Sequence, residues 1–340
     1  MSEKIALIGL TPDEIVKELE LTPSFRGKQI YQWIAKGVSS FEEMTNLDRN
    51  TKAVLEQNAV IYSSKITKVL KDDDGTIKLQ ITLNDGRAIE TVLLTDREGR
   101  KTACVSCQAG CGMGCAFCQT GQLGLGRNLS AGEIVEEFLY LEKEAGTLDN
   151  IVFMGMGEPM QNLGAIRKSI SILTDKKGRA LSGRRITLST SGVVQGIYDL
   201  ANNGPQIRLA VSLTTADEVL RTSLMPVNKG NSLAELKKAI AYYGEKTGKR
   251  VTLEAALLSG QNTGAESIRR MIDFASGLNV YINLIPWNPV PGLDFKTPDT
   301  QECNNFLKAL QKAGLNVNMR VRRGEKIGGA CGQLGRSQAN

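Results

Sequence analysis

The sequence predicts an α/β protein whose larger part is an open, partial parallel barrel of six β/α units. From about residue 101 onward, short apolar strands alternate with amphipathic segments of helical period. Successive strands begin roughly 25–50 residues apart, which leaves room for a crossover helix in most units. A closed barrel of this type would need two further units, so an open (β/α)6 barrel is expected.

The chain before this barrel divides into two further parts. Residues 1–60 have helical patterns, and the first predicted helix begins with a capping box between Thr11 and Glu14 and a proline at its first position. Residues 61–98 alternate apolar and polar side chains, with the turn sequences DDDG and NDGR between the runs. We therefore expect a small N-terminal helical domain, an antiparallel β extension and a barrel domain over 99–340.

The barrel strands are short segments with a strongly apolar character. The predicted strands are TACVSC, NIVFMG, RRITLS, IRLAVSL, RVTLEAAL and VYINLIP, with a last strand NVNMRVRR before a glycine-rich tail. Unusual residues come where these strands end: a cysteine loop follows the first strand, residues 155–159 follow the second, and residues 286–289 follow the sixth. Because the carboxyl ends of parallel barrel strands carry the active site, these residues are expected to meet at one mouth.

The composition excludes several kinds of site. The chain has 42 basic and 36 acidic side chains, and its net charge of +6 is compatible with a polyanionic partner. It contains no histidine, which excludes Ser-His-Asp and Cys-His catalysis and imidazole zinc sites. No apolar run approaches the roughly 20 residues of a membrane span, and the N-terminus lacks the pattern of a signal peptide. We therefore expect a cytoplasmic protein without a membrane partner.

Five of the seven cysteines fall within 15 residues. Cys111, Cys115 and Cys118 form a C-x3-C-x2-C motif, whose three thiolates can bind three irons of a [4Fe–4S] cluster and leave the fourth iron open. The small residues between them let the backbone wrap closely around such a cluster. A zinc knuckle is the alternative, and the nearby Cys104 and Cys107 keep it open.

Several further motifs resemble a known family. The segments CVSCQAGCGMGCAFCQTGQLGLGRNL, FMGMGEPMQN, RRITLSTSGVV, LAVSL, LIPWNPVPG and GGACGQL, with FRGKQIYQWI and FEEMTNL near the N-terminus, are similar to RlmN-type adenine-C2 methyltransferases of the radical S-adenosylmethionine (SAM) superfamily. The similarity covers nearly the whole chain. It implies transfer of a methyl group to C2 of a specific adenine in 23S rRNA and in tRNA.

The resemblance implies a reaction through a methylated cysteine. Cys331, within ACGQL, would accept a methyl group from one SAM molecule. A second SAM molecule would be cleaved to a 5′-deoxyadenosyl radical, which removes a hydrogen atom from the S-methyl group so that its carbon adds to adenine C2. Cys104 would then release the RNA by forming a disulfide with Cys331. The C2 proton needs an acceptor, and Glu90 and Cys104 are the two implied.

The resemblance also implies the cofactors and their contacts. The cofactors are a [4Fe–4S] cluster on the three cysteines of the motif, and SAM, of which two molecules are used per turnover. The implied SAM contacts are Gly157, Glu158, Ser189, Ser212, Leu213, Thr214 and Asn288. Hydroxyl and amide groups suit the ribose, carboxylate and adenine of SAM. The implied electron donor is a flavodoxin or ferredoxin, and we expect the protein to be a monomer.

Three features depart from the family pattern. Thr214 stands where the family usually has histidine, and Cys107 stands where it usually has serine. The segment LLSGQNTG replaces a more acidic loop.

Cys303, in a helical segment away from these motifs, is interpreted as a small buried hydrophobe.

Basic side chains offer RNA contacts in three places. They are Arg26, Lys28 and Lys36 near the N-terminus, Arg179, Arg184 and Arg185 in the middle of the chain, and Arg320, Arg322 and Arg323 beside the tail. Such clusters are often only solvated faces, but the last one is near Cys331 in sequence. A target base in a folded RNA would have to be splayed out to reach a buried site.

Two other functions are alternatives. An adenine-C8 rRNA methyltransferase of the related antibiotic-resistance type would share the cluster, Cys104 and Cys331, whereas Pro159, Trp287 and Pro289 favour the C2 type. A non-enzymatic iron–sulfur protein that binds RNA or carries electrons would need neither the Gly-Glu-Pro sequence nor the distant tail cysteine.

Overall fold

One sheet of ten strands organises residues 4–335, the part of the chain that this computed structural model describes. Residues 1–3 and 336–340, the outer ends of the predicted N-terminal and barrel domains, lie outside the described part. The strands are β1 Ile5–Ala6, β2 Ala59–Val60, β3 Lys65–Lys71, β4 Ile77–Thr82, β5 Ala88–Thr95, β6 Lys101–Val105, β7 Gln108–Cys111, β8 Gly124–Asn128, β9 Asn150–Phe153, β10 Ile186–Thr190, β11 Arg208–Ser212, β12 Val251–Leu257, β13 Val280–Pro286 and β14 Val317–Met319. The order in the large sheet is β14-β13-β12-β11-β10-β9-β6-β5-β4-β3.

Eleven α-helices lie in residues 4–335, and the last seven of them lie between the parallel strands of this sheet. They are α1 Pro12–Glu18, α2 Phe25–Ala35, α3 Arg49–Asn58, α4 Gln119–Gln122, α5 Ala131–Ala145, α6 Leu163–Thr174, α7 Val194–Asn203, α8 Glu218–Leu224, α9 Leu233–Thr247, α10 Ala265–Ala275 and α11 Thr300–Lys312. Strands β6, β9, β10, β11, β12 and β13 are each followed by at least one helix, and neighbours along β6 to β14 pair in parallel. The predicted partial (β/α)6 barrel is therefore confirmed. None of the helices in the described part could cross a bilayer.

The barrel strands are apolar along their whole length because protein covers both faces of the sheet. In β11, for example, Leu209, Ala210 and Val211 are all fully buried although adjacent side chains point to opposite faces. Helix α5 starts at a capping box between Ser130 and Glu133, which satisfies backbone amides at its N-terminus. The sheet and its helices thus place the carboxyl ends of the parallel strands at the same rim.

The N-terminal region begins as the sequence predicts. Thr11 and Glu14 form the expected capping box, with hydrogen bonds of 2.7 and 3.3 Å. Helix α3 begins only after Asp48, which accepts a hydrogen bond from the amide of Thr51. The buried side chains of these helices, such as Ile30, join the hydrophobic core of the barrel without a break. The division into three domains stays a prediction.

The antiparallel β extension continues the barrel sheet. Strands β3, β4 and β5 pair antiparallel, and β5 then pairs antiparallel with β6, so that Val92 lies opposite Cys104. The sequence did not predict the short antiparallel hairpin of β7 and β8 around the cysteine loop. Gly110 in this hairpin has a φ of +84°, and a Cβ there would lie 2.1 Å from the carbonyl oxygen of Gly124. Only glycine therefore lets the two strands approach.

Candidate active site

A cavity opens at the carboxyl ends of the barrel strands, and most of the predicted site residues line it. They are Cys104, Cys111, Cys115, Cys118, Gly157, Glu158, Ser189, Ser212, Thr214, Asn288 and Cys331. Two predicted residues do not line it: Leu213 lies fully in the hydrophobic core, and Glu90 is buried behind the tail. The structure thus brings residues from six strand ends and from the tail to one mouth.

The cysteine loop is held by contacts with the end of helix α8 and with Trp287, which follows β13. The amide of Ala116 donates to the carbonyl oxygen of Leu224, and the indole of Trp287 donates to that of Phe117 over 2.9 Å. Burial raises the pKa of the Cys111 thiol to about 11. Burial thus opposes the thiolate that metal ligation requires, and the positive charge of bound iron would offset that cost.

The arrangement of the thiols fits a cluster better than a single ion. Within residues 4–335, no three His, Cys, Asp or Glu side chains are gathered closely enough to bind one metal ion. A zinc ion would need sulfurs about 2.3 Å from one centre. A [4Fe–4S] cluster needs only one thiolate for each iron, so its cysteines stand further apart. All three cysteines of the loop line one cavity, as the three protein ligands of a single cluster must.

The loop after β9 presents a buried carboxylate to the cavity. Glu158 accepts hydrogen bonds of 2.7 Å from both the amide and the hydroxyl of Ser191, and its own amide donates to Gln108. Burial raises the pKa of Glu158, although these hydrogen bonds oppose the shift. Gly157 has a φ of +107°, and a Cβ there would lie 2.6 Å from the side chain of Gln108. A glycine is therefore required for this loop to reach the cluster loop.

A buried arginine ties two of the predicted contact strands together. The guanidinium of Arg221 donates to the carbonyl oxygens of Ser191, Ser212 and Leu213 over 2.7, 3.3 and 3.2 Å. Burial lowers the pKa of Arg221 to about 10. This cation fixes the backbone at the ends of β10 and β11, and the sequence analysis did not identify it.

The tail is bound to the mouth along its length. The amide of Gln119, at the start of helix α4, donates to the carbonyl oxygen of Gly332 over 2.8 Å. The hydroxyl of Thr120 donates to the carbonyl oxygen of Leu334 over 2.7 Å. Because α4 directly follows Cys118, the tail and the cluster loop are tied to each other.

Cys104 and Cys331 face the same space from β6 and from the tail. Burial raises the pKa of the Cys104 thiol to about 12, with a further contribution from the nearby Cys331. Cys331 is accessible from the cavity, yet the protein atoms around it raise the pKa of its thiol too. The guanidinium of Arg320 opposes the rise of both pKa values. Either sulfur becomes a better nucleophile when such a cation is near.

One residue of the cavity wall, Glu254, was missed by the sequence analysis, and it shares an unusual feature with the predicted contact Asn288. Glu254, on β12, is 6% exposed, and its Oε2 atom has no hydrogen-bond partner in the described part of the chain. Its other oxygen accepts a hydrogen bond of 3.0 Å from Asn283. The buried Oδ1 atom of Asn288 likewise lacks a partner among the described residues. Since buried polar atoms are normally paired, both atoms suit contacts with a bound SAM molecule.

The departures from the family pattern occupy different places. Thr214 lines the cavity with a φ of +60°, an uncommon conformation for a β-branched residue. Cys107 is buried and does not line the cavity. Cys303 is buried on helix α11, which confirms its interpretation as a small hydrophobe. Asn262, in the altered loop, donates to the carbonyl oxygen of Thr214 and fixes its backbone.

The three basic clusters differ in where they lie relative to the cavity. In the first two, Arg26 pairs with Asp48, and Arg179 pairs with Glu142 over 2.7 Å. The third cluster lies at the cavity, whose lining residues include Arg320, Arg322 and Arg323. Of the three clusters, this is the one whose side chains line the cavity.

The fold and the site together define a class of protein. A partial α/β barrel with three cysteines after its first strand and a Gly-Glu loop after its second is typical of radical SAM enzymes. Residues 105–275 match the model of the radical SAM superfamily, and residues 13–61 match that of the ribosomal RNA large subunit methyltransferase N-terminal domain. The chain is therefore a radical SAM enzyme, whose cofactors are a [4Fe–4S] cluster and SAM.

Similar proteins narrow this class to a family. A probable dual-specificity RNA methyltransferase RlmN of Treponema denticola is 60% identical over 99% of this chain and 97% of its own length. That of Treponema pallidum is 55% identical over 98% of each. The crystal structure of a radical SAM methyltransferase from Sphaerobacter thermophilus matches with a TM-score of 0.93 and 40% identity, over 97% of this chain and 99% of that one. The chain belongs to the RlmN family of radical SAM RNA methyltransferases, which favours this function over both alternatives.

Proposed function

We propose that this chain methylates C2 of an adenine in 23S rRNA and in tRNA, with Cys331 as the methyl carrier and Cys104 as the resolving thiol. The observation that carries the proposal is that both cysteines and the three cysteines of the loop line one cavity at the strand ends. The names of the relatives, which are dual-specificity RNA methyltransferases, support RNA of two kinds as substrates.

The chain would hold its cofactors with the residues that line this cavity. Cys111, Cys115 and Cys118 would each bind one iron. The residues that would contact SAM are Gly157, Glu158, Ser189, Ser212, Thr214 and Asn288, with the backbone of Leu213 beside them. When bound, the cluster and SAM supply an electrophilic methyl group and a carbon radical that can remove a hydrogen atom, so that two SAM molecules serve one turnover.

Cys331 would carry the methyl group from SAM to adenine C2. That carbon is electron-poor and cannot displace a methyl group from a sulfonium. The thiol of Cys331 can do so as a thiolate, once it has passed its proton to solvent. The methyl group, now on sulfur at the mouth, loses a hydrogen atom, and its carbon forms a bond to C2. The RNA is then linked to the tail through a C–S bond.

Cys104 would break this link. The adduct loses the C2 proton to Cys104 or Glu90, which passes it on to solvent, and it also loses one electron, which the bound cluster would take up. The Cys104 thiolate then attacks the sulfur of Cys331, and the electron pair of the C–S bond goes to the carbon, which takes a proton and becomes the methyl group. The two sulfurs end as a disulfide, which a thiol reductant must reopen before the next turnover.

We also propose an electron donor, a monomeric state and a place for the RNA backbone. The electron donor would be a flavodoxin or ferredoxin, because splitting SAM requires a low-potential electron. The protein would act as a monomer in the cytoplasm. Arg322 and Arg323 would contact the RNA backbone as the target base enters the mouth.

The proposal is tested by the product formed on RNA. Anaerobically reconstituted protein is incubated with SAM, a reductant and unmodified 23S rRNA or tRNA, and the methylated nucleoside is identified by mass spectrometry. We expect 2-methyladenosine, and none with Cys331→Ala. The formation of 8-methyladenosine would show that the chain is an adenine-C8 methyltransferase instead. The formation of 5′-deoxyadenosine without any methylated RNA would overturn the substrate assignment.

A further inference from the structure

Lys78 and Glu90 form an ion pair in the interior, directly behind the tail that carries Cys331. Their Nζ and Oε1 atoms are 3.1 Å apart, and the two side chains are 5% and 3% exposed. They lie on the paired strands β4 and β5, where Glu90 stands opposite Gln80 and therefore diagonal to Lys78. The antiparallel extension thus brings a charged pair beneath the barrel mouth.

Each member of the pair also binds one end of residues 328–335, the tail segment that contains Cys331. The Nζ of Lys78 donates to the carbonyl oxygen of Gly328 over 3.2 Å. The amide of Gly335 donates to the Oε2 atom of Glu90 over 2.7 Å. Cys331 lies between these two points, and its carbonyl oxygen accepts a hydrogen bond from Asn288. The ion pair therefore closes residues 328–335 into a loop with its thiol at the mouth.

We propose that Lys78 and Glu90 are positioning residues, which hold the two ends of the Cys331 segment and so set the place of the methyl-carrying sulfur. The inference rests on the proposed role of Cys331. Glu90 uses both carboxylate oxygens in these contacts and does not line the cavity, whereas Cys104 does. The carboxylate of Glu90 is therefore engaged with the tail rather than with the cavity.

The composition of the segment explains why a buried pair would be used there. Four of its eight residues are glycine, at 328, 329, 332 and 335, and glycine leaves the backbone many conformations. A buried ion pair adds little to the free energy of unfolding, because the desolvation of both charges offsets their attraction. Its two charged groups do, however, need hydrogen-bond partners at fixed positions. Here those partners include the carbonyl oxygen of Gly328 and the amide of Gly335, the two ends of the segment.

The first test measures the segment itself. Hydrogen exchange of residues 328–335 is followed in the reconstituted protein for Lys78→Met and, as the control, Lys326→Met. Lys326 lies in the same tail but pairs with Asp73 at the surface, where ion pairs contribute little. We expect exchange to become at least about tenfold faster in Lys78→Met, because hydrogen bonds to a charged group are lost. Unchanged exchange would overturn the proposal.

The second test separates positioning from proton transfer. Transfer of a methyl group from SAM to Cys331 in the absence of RNA requires no acceptor for the C2 proton. We expect Lys78→Met and Glu90→Gln to slow this transfer to a similar extent, as measured by the protein mass, and Lys78→Arg to restore much of the rate. A Glu90→Gln variant that methylates Cys331 at the normal rate would overturn the positioning role.

Failure of the proposed function and failure of a variant to fold can both be told apart from failure of the positioning role. If wild-type protein gains no methyl group on Cys331, the proposed function fails, while the exchange result still reports on the segment. If Lys78→Met does not fold, the double variant Lys78→Met, Glu90→Leu replaces the pair by apolar side chains, which proteins often tolerate. This variant too should show fast exchange of residues 328–335, and protection like that of the wild type would overturn the proposal.

Discussion

The side-chain amide of Asn288 donates a hydrogen bond of 3.1 Å to the carbonyl oxygen of Cys331. Asn288 follows the last strand of the six β/α units, and Cys331 lies in the tail. The other amide atom of Asn288, its Oδ1, is buried without a hydrogen-bond partner in residues 4–335, and it is available to a ligand in the cavity. One side chain therefore joins the proposed SAM site to the proposed methyl carrier.

Replacing Asn288 with aspartate tests this link. The variant loses the donor and places a carboxylate oxygen beside the carbonyl of Cys331. We expect the methylation of Cys331 by SAM to slow by about tenfold, the effect of one lost hydrogen bond plus repulsion. Intact-protein mass spectrometry measures the rate. Asn58→Asp, on the exposed end of helix α3, is the control and should match the wild type. Equal rates for both variants would contradict the link.

Replacing individual cysteines tests which thiols bind iron. Cys118→Ser should bind less iron and show weaker visible absorbance after anaerobic reconstitution, because it removes one of three thiolates. Cys107→Ser should keep the iron content of the wild type, since Cys107 is buried outside the cavity. Iron analysis and absorbance check both. A large loss of iron in Cys107→Ser would mean that a fourth thiol takes part.

Glu158→Gln tests the proposed contact with the SAM amine. The change keeps the shape of the side chain and can keep one hydrogen bond to Ser191, but it removes the negative charge. We expect SAM to bind about 10- to 100-fold more weakly, in line with the loss of a charge-assisted hydrogen bond. Equilibrium binding to the reconstituted protein measures this. Glu325→Gln, near the tail surface, is the control, and an unchanged affinity in Glu158→Gln would exclude the contact.

Thr214 offers a test of backbone strain. Its φ of +60° places a β-branched residue in the left-handed region, which costs about 1–2 kcal/mol for most residues. Asparagine tolerates this region better, so Thr214→Asn should raise the free energy of unfolding by up to about 1 kcal/mol. Urea unfolding of the variant and of Thr300→Asn, at the exposed first position of helix α11, provides the comparison. A lower stability of Thr214→Asn would show that contacts of the threonine outweigh its strain.

The barrel was predictable because its signals are local. Apolar strands such as NIVF and LAVS alternate with helices that begin at capping boxes, as at Ser130 and Glu133. The cysteine hairpin was not predictable in this way. Its strands are short and rich in glycine, and their pairing depends on the close approach of Gly110 to Gly124, which no periodic pattern reveals.

The residues that line the site were predictable from their motifs. The contacts that hold those residues in place were not. Glu254 and Lys78 each stand as a single charge within an apolar strand, and that is the signal that could have drawn attention to them. Their partners, Asn283 and Glu90, come together only through strand pairing. The resemblance suggested Glu90 as a proton acceptor, whereas its surroundings indicate an anchor for the tail.

The most direct test of the central claim is to trap the link between RNA and Cys331. Without Cys104 the C–S bond should persist, so Cys104→Ala incubated with SAM, reductant and substrate RNA should accumulate a covalent protein–RNA adduct. Peptide mass spectrometry after nuclease digestion would then show one nucleotide attached to Cys331. A nucleotide on another residue, or methylated RNA released at the normal rate without an adduct, would contradict the account.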